Sequence, residues 1–413
     1  MKTSRIALFA SALMCSTAFS AQAAELEVIH WWTSGGEQAA VSLLAKEFDA
    51  NGQDSWRDSA IAGGEQARAV VMQRILGGDA PQAAQFNNSR QFEELAEAGL
   101  LLDLSDLAKK EKWRDVVRPK SILDPCEIDG KIYCVPVNIH SDQWLWTNKA
   151  IYKEVGLEEP QSWQDVIDQA GKIRDAGYIP LAVGGQGWQE DLTFDDVFMG
   201  VGGKELWNKV YVDRDEDAAK SPEVAKVFET YGKLRDLTDE GSAGRNWNDT
   251  TSLVINGKAA VQAMGDWARG EFVLAGKKAE VDYGCVPGPS RHPVLTTGGD
   301  IFIFPKQDDP EVEAAQLRLA SMLLSPDVQV KFNTAKGSSP VRGDVNMASA
   351  DPCMQKGLAL LNDDENIALP KNAILSSDTD GRIQDLVSQF WNTPSMTVAD
   401  VQDQFAAILQ DGS

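Results

Sequence analysis

Histidine is scarce. There are 3 in 413 residues, and His30, His140 and His292 stand far apart with no C-x-x-C and no H-E-x-x-H among them, so no metal site of familiar spacing is expected. A G-x-S-x-G elbow, a P-loop and a Rossmann glycine fingerprint after a strand are all missing, and nothing calls for an enzyme or a cofactor. The 62 acidic residues always offer some pair of carboxylates, so pairing alone is no evidence for glycoside hydrolysis. Positive charge is also thin: 39 Lys and Arg leave a net charge of −23. Such a surface repels a phosphate backbone or an anionic membrane and excludes nucleic acid as a partner. No apolar run reaches the roughly 20 residues of a spanning helix.

The remaining composition is that of a globular protein, 43% hydrophobic and 24% charged, and the length suits two domains or two lobes of one fold. Met1 to Ala24 read as a secretory leader. Lys2 and Arg5 precede an apolar run from Ile6 to about Phe19, and Ala21-Gln22-Ala23 gives the small-x-small cleavage pattern, with cleavage after Ala23 or Ala24. Met14 before Cys15 stands where a lipoprotein signal carries a small residue, which argues against a lipid anchor. The mature protein is expected to be exported and soluble.

Four cysteines remain in a compartment that permits disulfides: Cys126, Cys134, Cys285 and Cys353. Cys126 and Cys134 bracket Asp129-Gly130, a strong hairpin signal that brings the sulfurs together. Cys285 with Cys353 follows only by elimination, and four buried free thiols are the alternative.

Along the chain, strand and helix signals alternate, which sets the class as α/β. Leu26 to Trp32 is a strand candidate followed by a Gly-Gly turn and a helix with Val41, Leu44, Ala45 and Phe48 on one face. Ala83 to Asn87, Tyr178 to Val183, Ala259 to Met264 and Ile301 to Phe304 are further strands. Ser162-Trp163-Gln164-Asp165 resembles a capping box and Gly177 a helix stop; Asp309-Pro310 opens a helix that Ser325-Pro326 stops. No linker is long enough to separate two free domains.

Trp31 and Trp32 end the first strand ahead of a glycine turn into a helix, the place where open α/β sheets bind ligands. An indole face stacks on the C–H face of a pyranose, although alternation points one of the two into the core. Glu37 is either a hydroxyl acceptor or a favourable charge at the helix N-terminus. Trp188 and Trp267 follow strand candidates and are pocket or core residues. Asp300, after Gly298-Gly299, and Lys336, in a turn before Gly337, are a carboxylate and an ammonium suited to vicinal hydroxyls.

These residues carry a resemblance. The leader, Glu27 to Glu37, Pro81 to Asn87, Val135 to His140 with Trp144 to Lys149, and Ile255 to Ala260 before Met264-Gly265-Asp266-Trp267 are similar to the extracellular solute-binding proteins, family 1, of bacterial ABC sugar importers, within them the glucose/mannose type. The resemblance spans the mature chain. It implies a type II two-lobe periplasmic binding protein fold, each lobe a β-sheet flanked by helices. The lobes are expected as residues 25–137 plus 292–339 and 138–291 plus 340–413, with hinge crossings near Val137, Pro287 to Leu295 and Ser339. It further implies a monomeric periplasmic receptor that binds a monosaccharide and hands it to membrane permease subunits; a disaccharide, polyol or sugar acid is the alternative ligand. The site residues it implies are Trp31, Trp32, Glu37, Gln85, Asn87, Asn138, His140, Trp267, Asp300 and Lys336. A C-terminal His used by some of this group is missing, and Asn372 to Asp380 offers Ser376, Ser377 and Asp378 instead.

Overall fold

Residues 24–412 are described by a computed structural model, and the expected leader through Ala23 lies outside the described residues. Nine strands build two sheets. In chain order they are β1 (Glu25–His30), β2 (Ser55–Ala60), β3 (Ala83–Asn87), β4 (Cys134–Pro136), β5 (Trp144–Asn148), β6 (Ile179–Ala182), β7 (Ala259–Ala263), β8 (Tyr283–Pro287) and β9 (Asp300–Ile303). The first sheet runs β2-β1-β3-β9-β4, with β1 parallel to β2 and β3 and β9 antiparallel to β3 and β4. The second runs β8-β5-β7-β6, with only β6 and β7 parallel. Each sheet has its own hydrophobic core, so the molecule is two-lobed.

Local sequence explains the elements that frame the cleft. Ser34 Oγ accepts from the Glu37 N–H and Glu37 Oε2 accepts from the Ser34 N–H, a reciprocal cap worth about 1 kcal/mol that starts the helix Gly35–Asp49. That helix buries Ala40, Val41, Leu44 and Phe48, one stripe at helical spacing. The helix Trp163–Asp175 starts at Ser162, whose hydroxyl accepts from the Asp165 N–H, and Gly177 beyond its end takes φ 89°. Ser325-Pro326 does more than stop a helix. It opens the next, Pro326–Lys336, because proline fits a first-turn position where no N–H is needed. Lys336 therefore closes a helix rather than sitting in a turn, and Gly337 at φ 97° ends it.

Both disulfides form, Cys126 with Cys134 and Cys285 with Cys353. The first brackets the hairpin Glu127–Ile128 and Lys131–Ile132, turned by Asp129 and Gly130 at φ 51° and 76°. The second ties β8 to the helix Pro352–Leu361.

Three chain segments run side by side where the lobes meet. Ile139 exchanges backbone hydrogen bonds with Ser339, and His140 with Gly298. Leu295 and Thr296 still pair with Ile367 and Ala368 beside the second sheet, and Val341 is buried in the first core. The Gly343 N–H still donates to Val116 O, so the third segment stays with the first lobe beyond Ser339.

Candidate binding site between the lobes

Asp300 begins β9 directly beyond the second crossing, and three residues from two other segments converge on it. Gln85 Nε2 donates to Oδ1 at 2.8 Å, Asn138 Nδ2 to Oδ2 at 2.7 Å, and His140 Nε2 lies 3.2 Å from Oδ2. The Asp300 N–H in turn donates to Asn138 Oδ1 at 2.6 Å. Strand register places Asn87 opposite Asp300 and two residues from Gln85, so the three share one face of the first sheet. Gln85 Oε1 also accepts from the Trp31 N–H at 3.0 Å, which ties the end of β1 to the network.

From the second lobe, Asp266 Oδ1 lies 2.5 Å from His140 Nδ1. Burial alone lowers an imidazole's pKa. Here the Asp266 carboxylate, joined by Asp300, outweighs burial and raises His140 to about 9. His140 is therefore an imidazolium near neutral pH, donating from both nitrogens to carboxylates of the two lobes. Asp300 is held at about 2 against burial by the hydrogen bond and charge of His140.

The tryptophans part company. Trp32 is 1% exposed and packs on Phe302 and Phe332 in the first core, while Trp31 is half-buried with Arg68 above its ring. Across the cleft Trp267, also half-buried, meets the His140 ring edge-on at 5.0 Å and has Trp188 at 6.5 Å. Glu37 and Lys336 pair with each other: Nζ donates to Oε1 at 3.2 Å, with Nζ 5.8 Å from the Trp32 ring. Asn87 is half-buried at the end of β3 and joins no side-chain hydrogen bond among the described residues.

Sequence reasoning missed Arg68, Lys371, Asp191, Asp195 and Asp380. Lys371 Nζ donates to Asp191 Oδ2 at 2.6 Å and Asp195 Oδ2 at 2.7 Å in the second lobe. The i, i+4 spacing of the two aspartates on the helix Gly187–Trp207 was the available signal. In the segment Asn372 to Asp380, Ser376 caps the helix Ser377–Asn392 and Asp378 is exposed, while Asp380 faces the Lys371 cluster.

Residues 32–340 match the family of bacterial extracellular solute-binding proteins. A probable sugar-binding periplasmic protein of Brucella melitensis is 38% identical over 92% of this chain and 90% of its own length. One from Mesorhizobium japonicum is 40% identical over 85% of each. Among solved structures, a chitin oligosaccharide binding protein superposes with TM-score 0.78 at 17% identity, over 94% of this chain and 98% of its own. A maltose-bound T. maritima protein does so with TM-score 0.76 at 20% identity, over 94% and 100%. These neighbours, too distant in sequence to speak for the ligand, share the fold. The chain belongs to the bacterial extracellular solute-binding proteins, a periplasmic binding protein of two-lobed α/β fold and not an enzyme.

Proposed function

We propose that the protein is the sugar receptor of an ABC importer, closing on one monosaccharide between its lobes and presenting the closed form to permease subunits. The observation that carries this reading is the convergence of Gln85, Asn138, His140 and Asp300 beside the half-buried indoles Trp31 and Trp267. Ring faces for C–H surfaces and a ring of charged hydrogen-bonding groups are what a pyranose requires. The relatives named as sugar-binding periplasmic proteins support the same reading. In it the lobes are joined at residues 137–143, 297–299 and 344–351, Trp31 rather than Trp32 stacks on the sugar, and Asn87 and Lys336 reach its hydroxyls. A ligand touching both lobes binds the closed state better and shifts the population toward it.

The test is a thermal-shift panel on residues 25–413 with mono- and disaccharides, polyols and sugar acids, followed by calorimetry. At a hundredfold excess over Kd the stabilisation is about 2.7 kcal/mol, and one or two hexoses are expected to reach it. A response confined to disaccharides overturns the monosaccharide assignment, and silence from every sugar overturns the receptor.

A further inference from the structure

Arg68 stands beside the half-buried Trp31 ring. It lies on the helix Gly64–Leu76 of the first lobe with its guanidinium carbon 5.5 Å from the Trp31 ring centroid. It makes no hydrogen bond or ion pair among the described residues, although burial is the main influence on its charge. The carboxylates that offset that burial are Glu65 on its own helix and Asp380 on the helix Ser377–Asn392 of the other lobe. The same two helices meet where Gln384 Nε2 donates to Glu65 Oε1 at 3.3 Å, so Arg68 and Asp380 oppose each other across the cleft.

The second-lobe side of this pair is rich in acceptors without a partner among the described residues. Asp380 Oδ1 is buried without a partner. Behind it Asp191 and Asp195, 9% and 8% exposed, spend one oxygen each on Lys371 and leave Oδ1 buried and unpartnered. Three carboxylates thus share Lys371 and Arg68, and a buried carboxylate oxygen without a donor is costly. A ligand hydroxyl or ammonium supplies the donor; a ligand carboxylate adds a further unmatched charge. Two cations that a sugar acid would need elsewhere are already engaged, Lys336 by Glu37 and Arg342 by Asp344.

Building on the receptor reading, we propose that Arg68 and Asp380 determine specificity at the Trp31 end of the site, selecting a hexose that carries hydroxyl or ammonium donors there and rejecting one that carries a carboxylate. Arg68 donates to ligand oxygens and Asp380 accepts from ligand donors, each from its own lobe, so the pair also rewards closure.

The experiment is calorimetry on residues 25–413 with glucose, glucosamine and glucuronate and with the corresponding galacto series, for the parent, Asp380→Asn and Arg68→Gln. Expected for the parent is binding of the hexose or aminohexose at least about tenfold tighter than the uronate, one hydrogen bond's worth of discrimination. Asp380→Asn is expected to weaken the hexose about tenfold and to narrow the gap to the uronate, whereas Arg68→Gln weakens the hexose and leaves the gap or widens it. Asp380→Ser repeats the test should the amide variant melt early. Hexose binding with the hexose-to-uronate ratio within twofold of the parent in both Asp380 variants overturns this inference and leaves the receptor intact; a parent that prefers the uronate does the same. Failure of every sugar of the thermal-shift panel to bind the parent overturns both.

Discussion

Glu271 Oε1 accepts a 2.8 Å hydrogen bond from the Gly36 N–H, so a side chain of the second lobe caps the helix Gly35–Asp49 of the first. Two residues away Arg269, 3% exposed, donates to Thr334 O at 2.7 Å and Asn333 O at 3.3 Å, at the C-terminus of the helix Pro326–Lys336. One short helix, Ala268–Leu274, thus sets an anion on a positive helix end and a cation on a negative one. The backbones are close as well: a Cβ at Gly36 would lie 2.8 Å from the carbonyl carbon of Gly270.

Removing these side chains should loosen the lobes. Glu271→Ala is expected to cost about 1 kcal/mol, as for a lost cap, and Arg269→Met about 3 kcal/mol, because it also strips Asp351 of its partner. Thermal melts measure the cost, and small-angle scattering of the sugar-free double variant should give a larger radius of gyration than the parent. Unchanged scattering would mean that the contacts follow the lobe arrangement without setting it.

The His140 bridge makes stability depend on pH in a stated direction. Its folded pKa of about 9 lies above the ordinary 6.5, so the stabilisation is complete below about 6.5 and is lost as pH rises through 9. The shift corresponds to roughly 3 kcal/mol for this buried group. Asp300, lowered to about 2, adds stability that is present above the ordinary carboxylate range and lost only as pH falls through 2. Melting temperature recorded from pH 6 to 10 should fall through the window between about 6.5 and 9 in the parent, levelling off above it, and stay flatter in His140→Gln. Equal slopes would show that the imidazolium is not what joins Asp266 to Asp300.

Lys371 offers a sharper electrostatic test. Burial pushes the pKa of both Asp191 and Asp195 upward, against the opposing pull of Lys371. In Lys371→Met the two carboxylates lose that pull, and a loss of about 3 to 5 kcal/mol is expected at pH 8. Because carboxylates with raised pKa destabilise the fold as pH rises, acidifying to pH 5 should recover much of the loss. A variant equally stable at both values would mean that the aspartates are solvated and not dependent on the lysine.

The sequence was most readable where burial is periodic. β1, β3, β6, β7 and β9 stand where apolar runs predicted strands, each with most residues buried. β2 gave no such signal, since Ser-Trp-Arg-Asp-Ser-Ala at the sheet edge buries only Trp56. The hairpin disulfide was legible from Asp129-Gly130; the longer one was only a remainder. Of the groups implied by resemblance, Gln85, Asn87, Asn138 and His140 lie around Asp300, yet which tryptophan turns inward depended on packing against Phe302 and Phe332, contacts from residues about 270 to 300 positions away. Arg68, Lys371 and Asp380 look like surface charges in sequence, because only the approach of two lobes and three helices buries them.

The two disulfides should differ in worth. Chain-entropy arguments make stabilisation grow with the enclosed loop, and the bridged cysteines are 8 residues apart in one case and 68 in the other. That predicts about 2.5 kcal/mol for Cys126–Cys134 and about 4 kcal/mol for Cys285–Cys353. The longer bridge also anchors the helix Pro352–Leu361, which follows the third crossing, to β8 of the second lobe. Cys353→Ser should therefore lower the melting temperature about 2 °C more than Cys134→Ser at this chain length, each measured on oxidised protein at pH 7. Sugar affinity at 25 °C should hold in both, because neither bridge touches the cleft residues. The reverse order of melting temperatures would mean that the hairpin bridge contributes through packing in the first core, where Cys126 and Cys134 are fully buried, rather than through loop closure.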